Sequence, residues 1–284
     1  MADRLVALFP EVARAAADLL RHPQVAARWA DESACAGMTV GGLANHLAAQ
    51  TGNVVRLLAG PPRGRQAITA LEHYRRAAWV HSGPDDEVNV DIRTSADEEA
   101  SGGPAALDER VTADLVALPA ALAPVLDGSR DPDTVFIPWQ GWSLSSGDFV
   151  LTRTMEVLVH SDDLAASIDV EPRAFPVEAA QAVAGLLAGV AVDRHGQTAV
   201  IRALSRPQRA DGEVSAFGAT RRQATVAAQA GQSPSISTVW RTCVNPWAAA
   251  TASAHRSTAS PVTSTASPQE RHTTWWWWVV EHDR

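Results

Sequence analysis

The chain has 284 residues, 46% of them hydrophobic, and a formal net charge of −8. An acidic balance of this size excludes a nucleic-acid footprint, while the hydrophobic content is enough to fill one good core. No stretch reaches the roughly 18 apolar residues of a membrane span. Every basic residue is arginine, and the two cysteines, Cys35 and Cys243, lie too far apart in sequence for a CxxC knuckle or a disulfide framework. Met1–Leu5 opens without the charged and apolar regions of a signal peptide. The expectation is a cytoplasmic protein with no membrane or nucleic-acid partner and an open oligomeric state.

Taken in order, the pattern predicts an all-α chain. Leu5, Leu8, Val12, Ala15, Leu19 and Leu20 recur at helical spacing over residues 4–30, with a kink expected near Pro23. Residues 31–37 read as a loop. Thr39 is placed to cap a helix over 39–59, whose stripe is Leu43, Leu47, Val54 and Leu58, ended by Gly60-Pro61-Pro62. A shorter helix is predicted over 66–80. The acidic stretch 82–104 has no apolar period and reads as a solvated loop. Leu107, Val111, Leu115, Leu118 and Leu122 predict a helix over 105–126 that Pro119 and Pro124 should bend. Asp131-Pro132-Asp133 is a turn, Val135–Ile137 a brief extended segment, and Trp139 and Trp142 fall in a Gly-containing loop. Ser145 or Ser146 should cap a helix over 147–168, with Asp148 in its first turn. A helix over 176–194 and a short one over 199–204 follow. Residues 218–284 carry six Arg and three acidic residues, abundant Ser and Thr and no periodicity. That composition predicts a low-complexity, disordered tail. The expected organisation is a bundle over 1–172, a short helical extension over 173–217, and the tail.

The chemistry concentrates in Arg153-Thr154-Met155-Glu156-Val157-Leu158-Val159-His160-Ser161-Asp162-Asp163. On a helix, Glu156 and His160 share one face about 6 Å apart along the axis. Their neighbours are apolar, and unpaired polar groups in such company are costly. A divalent metal would hold the pair, with a third ligand from elsewhere. His46 is the best candidate, because it alone among the remaining histidines sits inside an apolar-striped helix. His22, His73, His81 and His195 read as surface residues. Both histidines could equally be satisfied core residues with no metal. This is not the HExxH motif, since here the Glu itself would be a ligand. Two histidines and one carboxylate leave a coordination position open, which suits catalysis or substrate capture. Cys35, in a loop with no histidine near it in sequence, is not expected to be a catalytic thiol.

Two segments carry a resemblance. Met38-Thr39-Val40-Gly41-Gly42-Leu43-Ala44-Asn45-His46-Leu47 and Arg153–Ala165, read as Arg-xx-Glu-xxx-His-xx-Asp-Leu-Ala, resemble the metal-ligand segments of the mycothiol-dependent maleylpyruvate isomerase family. The second segment is the more specific. The resemblance covers about residues 1–217 and implies a DinB-like four-helix bundle with zinc, or another divalent metal, on His46, Glu156 and His160. It implies mycothiol as thiol cosubstrate in a cis–trans isomerisation of a small-molecule substrate. Arg153 and Asp163 become candidate catalytic residues, able to orient a ligand or pair with Glu156; Trp139 and Trp142 could wall the pocket mouth or simply pack. The isomerase carries a substantial second domain that is not evident after residue 172. A mycothiol S-transferase acting on other electrophiles, or a non-catalytic metal- or ligand-binding bundle, are the alternatives.

Overall fold

The computed structural model describes residues 2–62, 66–82 and 86–217. Four helices form the body: α1 (Ala2–Leu20), α3 (Val40–Ala59), α7 (Gly103–Leu126) and α8 (Ser146–Ser167), with the single-turn α2 (Pro23–Ala27) after α1. α3 packs on α7 and α8, and α1 packs on the same two helices. Their apolar stripes close the core through Val12, Leu43, Leu47, Val111, Val157 and Leu164 at one end and Phe9, Val54, Leu118, Leu122 and Phe149 at the other. The predicted kink near Pro23 is a complete break: α1 stops at Leu20 and Pro23 starts α2, where its missing N–H costs nothing. α7 runs through Pro119 and Pro124 to Leu126.

Two helix starts follow the predicted caps. The Thr39 hydroxyl accepts from the Gly42 N–H at 2.9 Å, and the Ser145 hydroxyl accepts from the Asp148 N–H at 3.0 Å. Each satisfies a backbone donor that a helix start otherwise leaves open. The caps lie about two and three turns before His46 and Glu156, so they fix where these residues fall around their helices.

The acidic stretch departs from expectation. Residues expected to be loop form α6 (Glu87–Glu99), which packs on α3. Only Asn89 and Ala96 of α6 are buried, so the helix offers no stripe for a periodicity reading to find. Asp97 nevertheless accepts from both the Thr39 N–H (3.0 Å) and its hydroxyl (2.6 Å), holding the cap from outside. The segment after α3 also differs. The two-residue strand β1 (Ala67–Ile68) precedes α4 (Ala70–Arg76) and α5 (Ala78–His81). β1 pairs parallel with β3 (Trp142–Ser145), which pairs antiparallel with β2 (Thr134–Ile137), giving a three-strand patch beside the helices. The loop predicted around Trp139 and Trp142 is thus a hairpin, turned at Gly141, whose φ of 79° suits glycine.

α9 (Val177–His195) and α10 (Gln197–Ser205) complete the described chain. α9 packs on α4 and α8, where Val183, Leu186 and Val190 join Tyr74 and Met155 in a third apolar cluster. Among the described residues no helix is long and apolar enough to cross a membrane. The predicted tail, 218–284, lies outside the described residues.

Candidate metal centre

α8 and α3 bring the three sequence-predicted ligands to one point. His160 Nε2 lies 3.2 Å from Glu156 Oε2, and His46 Nε2 lies 3.9 Å from the same oxygen. The imidazoles meet edge to face, with ring centroids 4.8 Å apart. The side chains keep 13–24% exposure, so they are not fully sealed from solvent. Metal–donor bonds of about 2.0–2.1 Å set neighbouring donors about 3–3.5 Å apart in a tetrahedron; the 3.2 Å separation falls in that range and the 3.9 Å separation is slightly wider. Two neutral nitrogens and a carboxylate suit a borderline divalent cation such as zinc. The residues present therefore fit a metal.

His160 has a partner on its other nitrogen. Its Nδ1 lies 3.1 Å from Asp163 Oδ2. With a cation bound at Nε2, a carboxylate on Nδ1 would hold the remaining imidazole proton there, as metal-binding histidines commonly require. The Asp163 main chain is tied in as well: the Ser167 hydroxyl donates to its carbonyl at 2.6 Å. Cys35 reverses its sequence reading. The fold carries its loop onto α8, where its buried thiol donates to Asp163 Oδ2 at 3.3 Å, so it touches the group that orients His160. Cys35, Asp163 and His160 thus form a second close group beside the first.

His46 is held by Gln50, one turn along α3. The Gln50 amide N–H group lies 2.8 Å from the His46 carbonyl and 3.4 Å from its Nε2. Gln50 Oε1 in turn accepts from Arg153 Nη1 at 2.7 Å. Arg153 does not form an ion pair with Glu156, nor does it sit on the surface; it is buried on α8 and reaches across to α3. The helix spacing of His46 and Gln50 was a usable signal for Gln50, since residues four apart share a face. Nothing local marked Cys35.

His73, read as a surface histidine, is 2% exposed. Trp142 donates its indole N–H to His73 Nδ1 at 3.1 Å, which fixes the neutral tautomer with its proton on Nε2. Burial, reinforced by the positive charge of Arg153, lowers the His73 pKa to about 4. Trp142 packs inward in this way, whereas Trp139 is 44% exposed. Trp142 also lines an open cleft with Gln66, Ile68, Arg76 and Phe136 that does not include the triad.

The charges of the centre are mutually dependent. Burial raises the Glu156 pKa, but the neighbouring His160 and His46 imidazoles and the charge of Arg153 outweigh it and hold the carboxyl well below its usual range. Burial lowers the His160 pKa, but Asp163, Cys35 and Glu156 together raise it well above the usual imidazole value. Burial dominates at His46 and lowers its pKa.

A helical bundle with an open two-histidine, one-carboxylate cluster on facing helices defines a class of proteins that build metal sites inside bundles. A family model described as the mycothiol maleylpyruvate isomerase N-terminal domain matches residues 9–165, and the chain belongs to that mycothiol-associated enzyme family. No curated protein and no solved structure matches it.

Proposed function

We propose that the chain is a metal-dependent, mycothiol-dependent enzyme that catalyses a maleylpyruvate isomerase-like cis–trans isomerisation. The observation that carries this reading is the convergence of His46 Nε2, Glu156 Oε2 and His160 Nε2 at one partly open point, in a chain whose family is mycothiol-associated. His46, Glu156 and His160 would hold the cation. When bound, a divalent cation supplies the charge that keeps the mycothiol thiol ionised near neutral pH, ready to add to an activated double bond.

The protein's own residues set the conditions for that chemistry. Asp163 fixes the His160 tautomer through Nδ1. Gln50 braces the helix turn that carries His46 through its hydrogen bond to the His46 carbonyl. Glu156, kept ionised, contributes the one negative charge among the ligands. Cys35 is buried, and burial is the first cause of its raised pKa; it stays a neutral thiol, and the reactive sulfur comes from the cosubstrate.

A mycothiol S-transferase would use the same centre and differ only in whether the thiol leaves again. The test is elemental analysis of the protein and of its His160→Ala variant, followed by turnover of maleylpyruvate with mycothiol. We expect about one zinc equivalent in the parent and none in the variant, and fumarylpyruvate formation with the thiol unconsumed. Thiol consumed into a stable adduct identifies the transferase; absence of metal in both proteins refutes the enzyme reading.

A further inference from the structure

We propose that Arg153 takes an anionic group of the substrate beside the metal centre, and that Gln50 is the positioning residue that orients it. The group it takes would be a carboxylate of the small electrophile that the proposed function already names. The proposal rests on the thiol-activating reading for the cation at the triad.

The starting observation is a buried cation with no anion. Arg153 is 8% exposed, and a buried charge is ordinarily paired. Among the described residues its hydrogen-bond partners are all neutral. Nε donates to Thr152 Oγ1 at 3.3 Å, Nη1 donates to Gln50 Oε1 at 2.7 Å, and the guanidinium lies 5.9 Å from the Phe149 ring centroid. Nη2 has no partner among those residues, yet it is not one of the atoms sealed in the core without one. It is therefore not fully sealed within the core. Arg130 makes the contrast. Equally buried, it spends all three guanidinium nitrogens on the carbonyls of Leu58, Gly60 and Thr134, and its role is complete within the fold.

The surroundings of Arg153 place that unspent donor at the reacting centre. It precedes Glu156 by three residues on α8, and so shares its face. Its charge acts on Glu156, His46, His73 and Tyr74, which lie around it. With a divalent cation on the triad, the carboxylates of Glu156 and Asp163 offset the cation and leave the Arg153 charge uncompensated. An incoming carboxylate would complete the balance through a charge-assisted hydrogen bond.

Gln50 makes the arrangement specific. Its amide oxygen must face Arg153, because a guanidinium only donates. That orientation puts the amide nitrogen on the His46 carbonyl at 2.8 Å. One side chain thus ties the anion-binding nitrogen group to the helix turn that carries a metal ligand.

The experiment uses the full chain loaded with Co2+ as a spectroscopic probe, and titrates it with maleate and with dimethyl maleate in the absence of thiol. Maleate should bind and the neutral ester should not. Arg153→Gln should take up Co2+ as the parent does while its maleate Kd rises about tenfold or more, the size of one lost charge-assisted hydrogen bond. Unchanged maleate affinity in a cobalt-loaded Arg153→Gln protein overturns the proposal. Should that variant not fold, Arg153→Lys replaces it. Lysine keeps the charge but cannot serve Gln50 and an anion with one rigid fork, so its maleate affinity should fall severalfold, and an affinity equal to the parent's overturns the proposal. A parent that takes up no cobalt overturns the thiol-activating reading instead, an outcome read from stoichiometry before any maleate is added.

Discussion

Asp163 Oδ2 sits 3.1 Å from His160 Nδ1, three residues earlier on the same helix. This contact decides which imidazole nitrogen is free to meet a cation. Replacing Asp163 with Ala should lower metal affinity about 10–100-fold while leaving the three donor side chains in place. Competition with a chromophoric chelator measures it, and equal affinities would reduce Asp163 to a helix-end acid.

The three proposed ligands are separable by chemistry. His46→Ala and His160→Ala should each abolish metal binding with helical circular dichroism largely retained. Glu156→Gln keeps an oxygen donor and loses the charge, so its metal content should fall between the parent and the histidine variants. Full occupancy in both histidine variants would refute the triad.

His73 gives a pH-dependent stability independent of the metal. Its pKa falls from 6.5 to about 4 on folding. Between those values the unfolded chain binds a proton that the folded chain does not. Stability is therefore complete above pH 6.5 and is lost as pH falls toward 4, by up to about 3 kcal/mol at 1.36 kcal/mol per pKa unit. His73→Asn retains an acceptor for the Trp142 indole and cannot titrate. Urea midpoints taken from pH 7 to 4.5 should decline less steeply in this variant than in the parent; parallel declines would contradict the assignment.

Gly41 lies against the Trp29 indole, where an added Cβ would come within 2.6 Å of the ring. The indole cannot easily retreat, because its N–H donates to the Ala100 carbonyl at 3.0 Å. Gly41→Ala should thus destabilise the protein by about 1–3 kcal/mol, against the roughly 1 kcal/mol that alanine gains inside a helix. Chemical denaturation gives the sign directly, and a stabilised variant would mean that the indole moves freely.

Much of this was legible before the structure. The caps at Thr39 and Ser145, the stripes of α1, α3 and α7, and the shared face of Glu156 and His160 are local patterns, and local patterns survive folding when the core needs them. α6 was invisible because it buries almost nothing, so its helix leaves no apolar period. His73 and Cys35 were misread because their meaning depends on residues distant in the chain: Trp142 for one, Asp163 and His160 for the other. For Gln50 the spacing from His46 is legible, but its pairing with Arg153 is not, since nothing in a sequence says which long side chain will cross between helices.

The separation of His46 from Glu156 and His160 along the chain has one more consequence. The donors meet only after α3 and α8 have docked, so the unfolded chain holds no preformed site. A cation there would act as a removable cross-link between distant segments, contributing stability that grows with the logarithm of its free concentration. The melting temperature would then report the metal supply, and chelation would loosen the same helices that assemble the centre.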